Sequence, residues 1–151
     1  MIPVSLLVAS ALQGAAPVEP INVQRVAFVS EVAGPRGIDF KETTRIPYKP
    51  GASCYQWALQ IQPQRRTARI REVFELPAAA PHWGQAPQEK TEVSPNRSSA
   101  VTELSVSLAD GVLAHGWCVS AGDPPGHYKI SVFENDALLH RFEFDVYDEI
   151  Y

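Results

Sequence analysis

No apolar run in this chain approaches the roughly 20 residues that a membrane-spanning helix needs, so no transmembrane segment is predicted. Cysteine is scarce: Cys54 and Cys118 are the only two, short of the four ligands of a structural zinc site. The four histidines, His82, His115, His127 and His140, show neither H-x-x-x-H nor H-E-x-x-H spacing, which excludes the zincin pattern. There is no G-x-S-x-G elbow, no phosphate-cradling glycine loop and no D-x-D-x-D-G calcium loop. Basic charge is not in excess either. The formal net charge is −4, which gives no reason to expect a nucleic-acid partner. The sequence thus predicts no catalytic residue, no cofactor and no metal ion. A Ser/His/Asp set can be drawn from its many serines, but composition permits that in most chains.

What the chain does have is turn chemistry and alternation. Its 151 residues are 45% apolar, enough for one domain with a real core. Thirteen prolines and nine glycines, spread along the chain, favour short strands joined by turns over long helices. The clearest stretch runs from Gly122 to Val146. Asp123-Pro124-Pro125-Gly126 is a turn, after which Tyr128, Ile130 and Val132 alternate with Lys129 and Ser131. Glu134-Asn135-Asp136 reverses the chain, and His140, Phe142, Phe144 and Val146 then share one face of a return strand. Asp-x-x-Gly-x-Tyr ahead of an alternating strand fits a tyrosine corner, in which the Tyr128 hydroxyl bonds upstream backbone; it fits an ordinary aromatic at a strand start equally well.

Further strands follow from the same pattern. Val23 to Val32 alternates imperfectly, with Val26, Phe28 and Ser30 on one face, and Ile38 to Ile46 is a short extended piece rich in threonine and charge. Cys54 to Ile61 turns Tyr55, Trp57, Leu59 and Ile61 inward. Ile70, Phe74 and Leu76 face inward in the next strand, and Leu104, Val106 and Leu108 in the one after that. Ala109-Asp110-Gly111 reads as an Asp-Gly hairpin turn into Val112–Val119, where Leu113, His115, Trp117 and Val119 share a face. Inward histidines such as His115 and His140 are read as hydrogen-bonded core residues. About seven or eight strands spaced by turns predict an all-β fold, an immunoglobulin-like two-sheet antiparallel β-sandwich. Its expected core is Phe28, Tyr55, Trp57, Leu59, Phe74, Leu104, Val106, Trp117, Ile130, Val132, Phe142 and Phe144.

The ends and the loops carry the functional expectations. Ile2 to Ala11 is nearly all apolar and small residues follow, which predicts a signal peptide over 1–16 despite the lack of Lys or Arg before Arg25. A linker over 17–22, a sandwich over 23–147 and a tail over 148–151 complete the division. In an exported chain an even cysteine count favours a Cys54–Cys118 disulfide, worth roughly 4 kcal/mol in the chain-entropy model; two separate buried thiols are the alternative. Arg65, Arg66, Arg69 and Arg71 form a basic cluster. It serves either as a site for an anion, lipopolysaccharide or acidic partner, or as a solvated strand face paired with Glu72, Glu75 and cross-strand acids. The loop from Pro77 to Gln88 presents His82 and Trp83 as a candidate contact, unless Trp83 folds back over the core.

Three stretches carry a family likeness: T-T-R-I-P-Y-K-P-G-A-S-C-Y at Thr43 to Tyr55, E-L-P at Glu75 to Pro77, and P-P-G-H-Y-K-I-S-V-F-E-N-D-A-L-L-H-R-F-E-F-D-V at Pro124 to Val146. In these the chain resembles the bacterial family known as domain of unknown function 3859. The resemblance implies a sandwich fold and an envelope setting, and no activity. The overall expectation is a periplasmic or secreted, non-enzymatic module that binds a protein or envelope component through the His82–Trp83 loop, the arginine face or an open sheet edge. The alternative is a hydrolase or other enzyme with a site built from loops at one end of the sandwich.

Overall fold

The computed structural model describes residues 18–84 and 90–148. Within them ten strands run in order: β1 (Val23–Gly34), β2 (Gly37–Glu42), β3 (Arg45–Pro47), β4 (Cys54–Ile61), β5 (Thr67–Glu75), β6 (Lys90–Val93), β7 (Ser99–Ser107), β8 (Val112–Cys118), β9 (Gly126–Glu134) and β10 (Ala137–Tyr147). No helix occurs among the described residues. Four strands form one sheet, in order β2-β1-β4-β8; six form the other, in order β3-β10-β9-β5-β7-β6. All pairings are antiparallel except that of β3 with β10. The expected signal peptide over 1–16 lies outside the described residues.

Alternation builds the interior. In β4 the residues Tyr55, Trp57, Leu59 and Ile61 are buried, while Cys54, Gln56, Ala58 and Gln60 point outward. Tyr128, Ile130 and Val132 of β9 and Phe142, Phe144 and Val146 of β10 close on them from the opposite sheet. The aromatic rings interleave: Phe28 stacks on Phe144 with centroids 4.4 Å apart, and Trp57 on Phe142 at 6.0 Å. Each such side chain contributes about 1.5–3 kcal/mol by leaving water.

Three of the expected core residues, Leu104, Val106 and Trp117, are only partly buried. They stand on β7, second from a sheet edge, and on β8, which is an edge, so the opposite sheet does not cover them fully. Two strands exceed the expected count. The piece from Ile38 to Ile46 divides: β2 stays with β1, and β3 crosses to the other sheet beside β10. The polar stretch Lys90–Val93 forms edge strand β6, held by its backbone pairing to β7. Ala109-Asp110-Gly111 is not a hairpin. Gly111 takes φ of +72° as a turn glycine should, but β7 and β8 belong to different sheets and the turn carries the chain between them.

The buried carboxylate and the candidate interaction surfaces

Glu72 lies between Ile70 and Phe74 on the inner face of β5 and is fully buried. Its Oε2 accepts the indole N–H of Trp57 at 2.7 Å and faces His115 Nδ1 at 2.7 Å; its Oε1 accepts the indole N–H of Trp117, also at 2.7 Å. All three partners stand on β4 and β8, so one carboxyl ties the six-stranded sheet to the four-stranded one. The expectation that Glu72 offsets the arginines on a wet face is therefore corrected. Strand parity turns it inward, away from Arg69 and Arg71, and two indole donors and the His115 ring there supply the hydrogen bonds a buried carboxyl needs. Parity alone could have shown this, since Glu72 falls between two residues read as inward.

At one end of the sandwich the Tyr128 hydroxyl donates to the Pro124 carbonyl at 2.6 Å, as a tyrosine corner requires. Burial pushes the Tyr128 phenol well above its ordinary range, and Asp123 and Tyr48 add to the effect. Nearby, the Ser120 amide donates to Asp123 Oδ2 at 2.8 Å. Burial raises the Asp123 carboxyl, against the lowering influence of that hydrogen bond and of the His82 charge.

The other sequence-derived candidates are scattered. His82 is exposed, but Trp83 turns back onto Phe74 and Trp117, with centroids 5.7 and 5.8 Å away, and donates its indole N–H to the Arg97 carbonyl at 3.2 Å. Arg66 is held by both carboxylate oxygens of Glu134, at 2.9 and 3.2 Å, and by the Glu19 carbonyl at 2.8 Å. Arg71 lies over the Phe133 ring, 4.8 Å from its centroid. Arg69 and Arg71 border a surface cleft that Glu103 and Asp136 also line. Arg65 is exposed in the β4–β5 turn. Cys54 and Cys118 stand opposite each other on β4 and β8 and form a disulfide.

The outward faces of the two sheets differ in chemistry. On the six-stranded sheet, cross-strand rows bring together Glu75, Lys129 and Glu143, and His127 with Asp145. His127 bonds its row partner and one residue of the next row, Nδ1 to Asp145 at 2.9 Å and Nε2 to Glu143 at 3.1 Å. On the four-stranded sheet the rows are Arg25–Gln60–Val112, Ala27–Ala58–Ala114, Glu42–Val29–Gln56–Gly116 and Phe40–Glu31–Cys54–Cys118, with Ile38 opposite Ala33. Gly116 is required there, because a Cβ would sit 2.8 Å from the Tyr55 carbonyl oxygen. At the rim of this face, whose charged members are Arg25, Glu31 and Glu42, Ile38 and Phe40 are 62% and 60% exposed, and Val112 on the opposite edge strand is 56% exposed. In the sequence, the alternation of Ile38 and Phe40 with Asp39 and Lys41 is the one signal of this short two-faced strand.

A cleft of about 230 Å³ opens between the sheets, lined by Ser30, Glu31, Ile46, Lys49, Ser53 and Cys54 among others. Its charged lining residues are Glu31 and Lys49, and no histidine lines it.

No curated protein sequence matches the chain. Among solved structures it is similar to an immunoglobulin-like protein from Pseudomonas aeruginosa, at 16% identity and a TM-score of 0.57, over 85% of this chain and 98% of that one. At that identity the likeness shows the immunoglobulin-like fold. The model of the PM0630 beta sandwich domain matches residues 26–147, which hold nearly every strand of both sheets, and the chain belongs to that family.

Proposed function

We propose that this protein is an exported, non-enzymatic interaction module that binds a protein of the cell envelope through the outer face and the β2 edge of its four-stranded sheet. The contrast between the two outward faces carries this reading. One is dense with paired charge; the other has alanine, glycine and a disulfide at its middle, only Arg25, Glu31 and Glu42 as charged members, and Ile38 and Phe40 at its rim. Exposed large apolar side chains grouped on one surface mark contact sites, and an open edge strand accepts another strand by backbone pairing. On the other candidate surfaces, Trp83 is engaged with the core and Arg66 with Glu134. Export is supported by the Cys54–Cys118 disulfide and by the envelope setting implied by the likeness to domain of unknown function 3859.

The test is a photoreactive benzoylphenylalanine placed at Phe40, with Lys129 on the charged face as control, in cells producing the protein. A discrete adduct from position 40 and none from position 129 is expected. Failure to form any adduct from position 40, or equal yields from both positions, refutes the reading.

A further inference from the structure

Resting on that reading, we infer that the partner at the β2 edge is a second copy of this chain, joined by antiparallel β2–β2 pairing about a two-fold axis at Phe40. β2 is the edge of its sheet, and its backbone bonds only to β1 among the described residues. The Thr43 amide donates to the Phe28 carbonyl at 3.3 Å, so Thr43 turns its backbone groups toward β1. Strand alternation then turns those of Lys41 and Asp39 the same way, and those of Ile38, Phe40 and Glu42 to the open side.

These directions restrict the register. A second β2 must bring its own Ile38, Phe40 and Glu42 to meet them, since a one-residue slip mismatches both the hydrogen bonds and the faces. Centred on Phe40, the pairing sets Phe40 against Phe40 and Ile38 against Glu42, twice. All three outward residues of each copy are then hydrogen-bonded. The intervening pairs, where side chains approach most closely, are Asp39 against Lys41, also twice. The neighbouring registers lose this match. Moving the centre toward the N-terminus sets Asp39 against Asp39 of the other copy, and moving it toward the C-terminus sets Lys41 against Lys41.

Charge complementarity therefore selects one self-pairing. Neither Asp39 nor Lys41 forms an ion pair within its own copy among the described residues, and both are exposed. The product is a continuous sheet of eight strands, β8-β4-β1-β2 from each copy, with Phe40, Ile38 and Glu42 of both copies on the outer face at its centre. The isologous geometry closes at two copies and leaves no open β2 edge to propagate.

Sedimentation equilibrium of the purified protein tests this, together with the single reversals Asp39→Lys and Lys41→Asp and the double reversal. A dimer is expected for the native chain. Each single reversal turns both attractive pairs repulsive and should weaken the dimer by roughly tenfold, while the double reversal restores it. Far-ultraviolet circular dichroism checks that all variants keep the fold. A monomer at every concentration overturns the inference, as does a dimer indifferent to the single reversals or not restored by the double one. If the protein is monomeric while position 40 still crosslinks to another protein, the binding surface stands and self-pairing falls. If position 40 crosslinks to nothing, both fall.

Discussion

Trp57 and Glu72 stand on opposite sheets, and the indole N–H of one reaches Oε2 of the other at 2.7 Å in the buried interior. With Trp117 and His115 on the same carboxyl, Glu72 bonds three groups, two of them indole N–H donors. Glu72→Gln keeps the volume but faces those donors with one oxygen and one donating amide. At least one donor is left buried and unmatched, which costs about 3 kcal/mol. Urea unfolding followed by tryptophan fluorescence should show the midpoint falling accordingly. An unchanged midpoint would remove Glu72 from its assigned role as the tie between the sheets. Trp117→Phe deletes one donor and leaves the carboxyl two, so it should lose only about 1 kcal/mol.

The Tyr128 hydroxyl fixes the chain ahead of β9 through the Pro124 carbonyl. Tyr128→Phe preserves the ring packing against Phe74 and Phe144 and removes only that bond, for a loss of about 1 kcal/mol. Thermal unfolding of the two proteins side by side measures it, and equal stability would make the corner incidental.

Alternation made the central strands legible in the sequence. β4, β10 and the first half of β9 are covered more fully on one face than on the other, so their inward residues could be read from period two alone. Strands at the periphery were harder. β6 carries Lys90 and Glu92 on exposed positions and is held by backbone pairing, which leaves no apolar signature. β2 is exposed along its whole length. The Asp110-Gly111 turn shows the limit of local chemistry: the same residues serve a hairpin and a crossing between sheets, and only long-range pairing distinguishes them. Glu72 is illegible for a different reason: its charge points to a wet face while its parity points inward, and its three partners lie on strands distant in the chain, where no local spacing shows them.

The disulfide joins residues 64 positions apart on two neighbouring strands. Its main effect in the chain-entropy model is on the unfolded state, where it removes loop freedom worth about 4 kcal/mol. The Cys54→Ser, Cys118→Ser double variant should therefore unfold at a markedly lower urea concentration than the native protein. Because both cysteines belong to the outward face and Cys118 is exposed, dithiothreitol should cleave the bridge without denaturant. Thiol labelling of the reduced, still folded protein checks this. A bridge that resists reduction until the sandwich unfolds would contradict the placement.

His127 sits in the open between two carboxylates. Its hydrogen bond to Asp145 foremost, and then that to Glu143, raise its pKa above the ordinary 6.5. The bond to His127 in turn lowers Glu143 below 4.5. A histidine raised in the folded state lends stability that is complete below its unfolded value and is lost as pH climbs through the folded one. A carboxyl lowered in the folded state does the reverse: its contribution is present above its unfolded value and is lost as pH falls through the folded one. The two together leave the clamp intact between about 4.5 and 6.5. Imidazole NMR should give His127 a midpoint above that of a free histidine. Asp145→Asn should lower it more than Glu143→Gln does, and both variants should flatten the fall in stability on the alkaline side. A midpoint that ignores both substitutions would mean the side chains do not hold these contacts in solution.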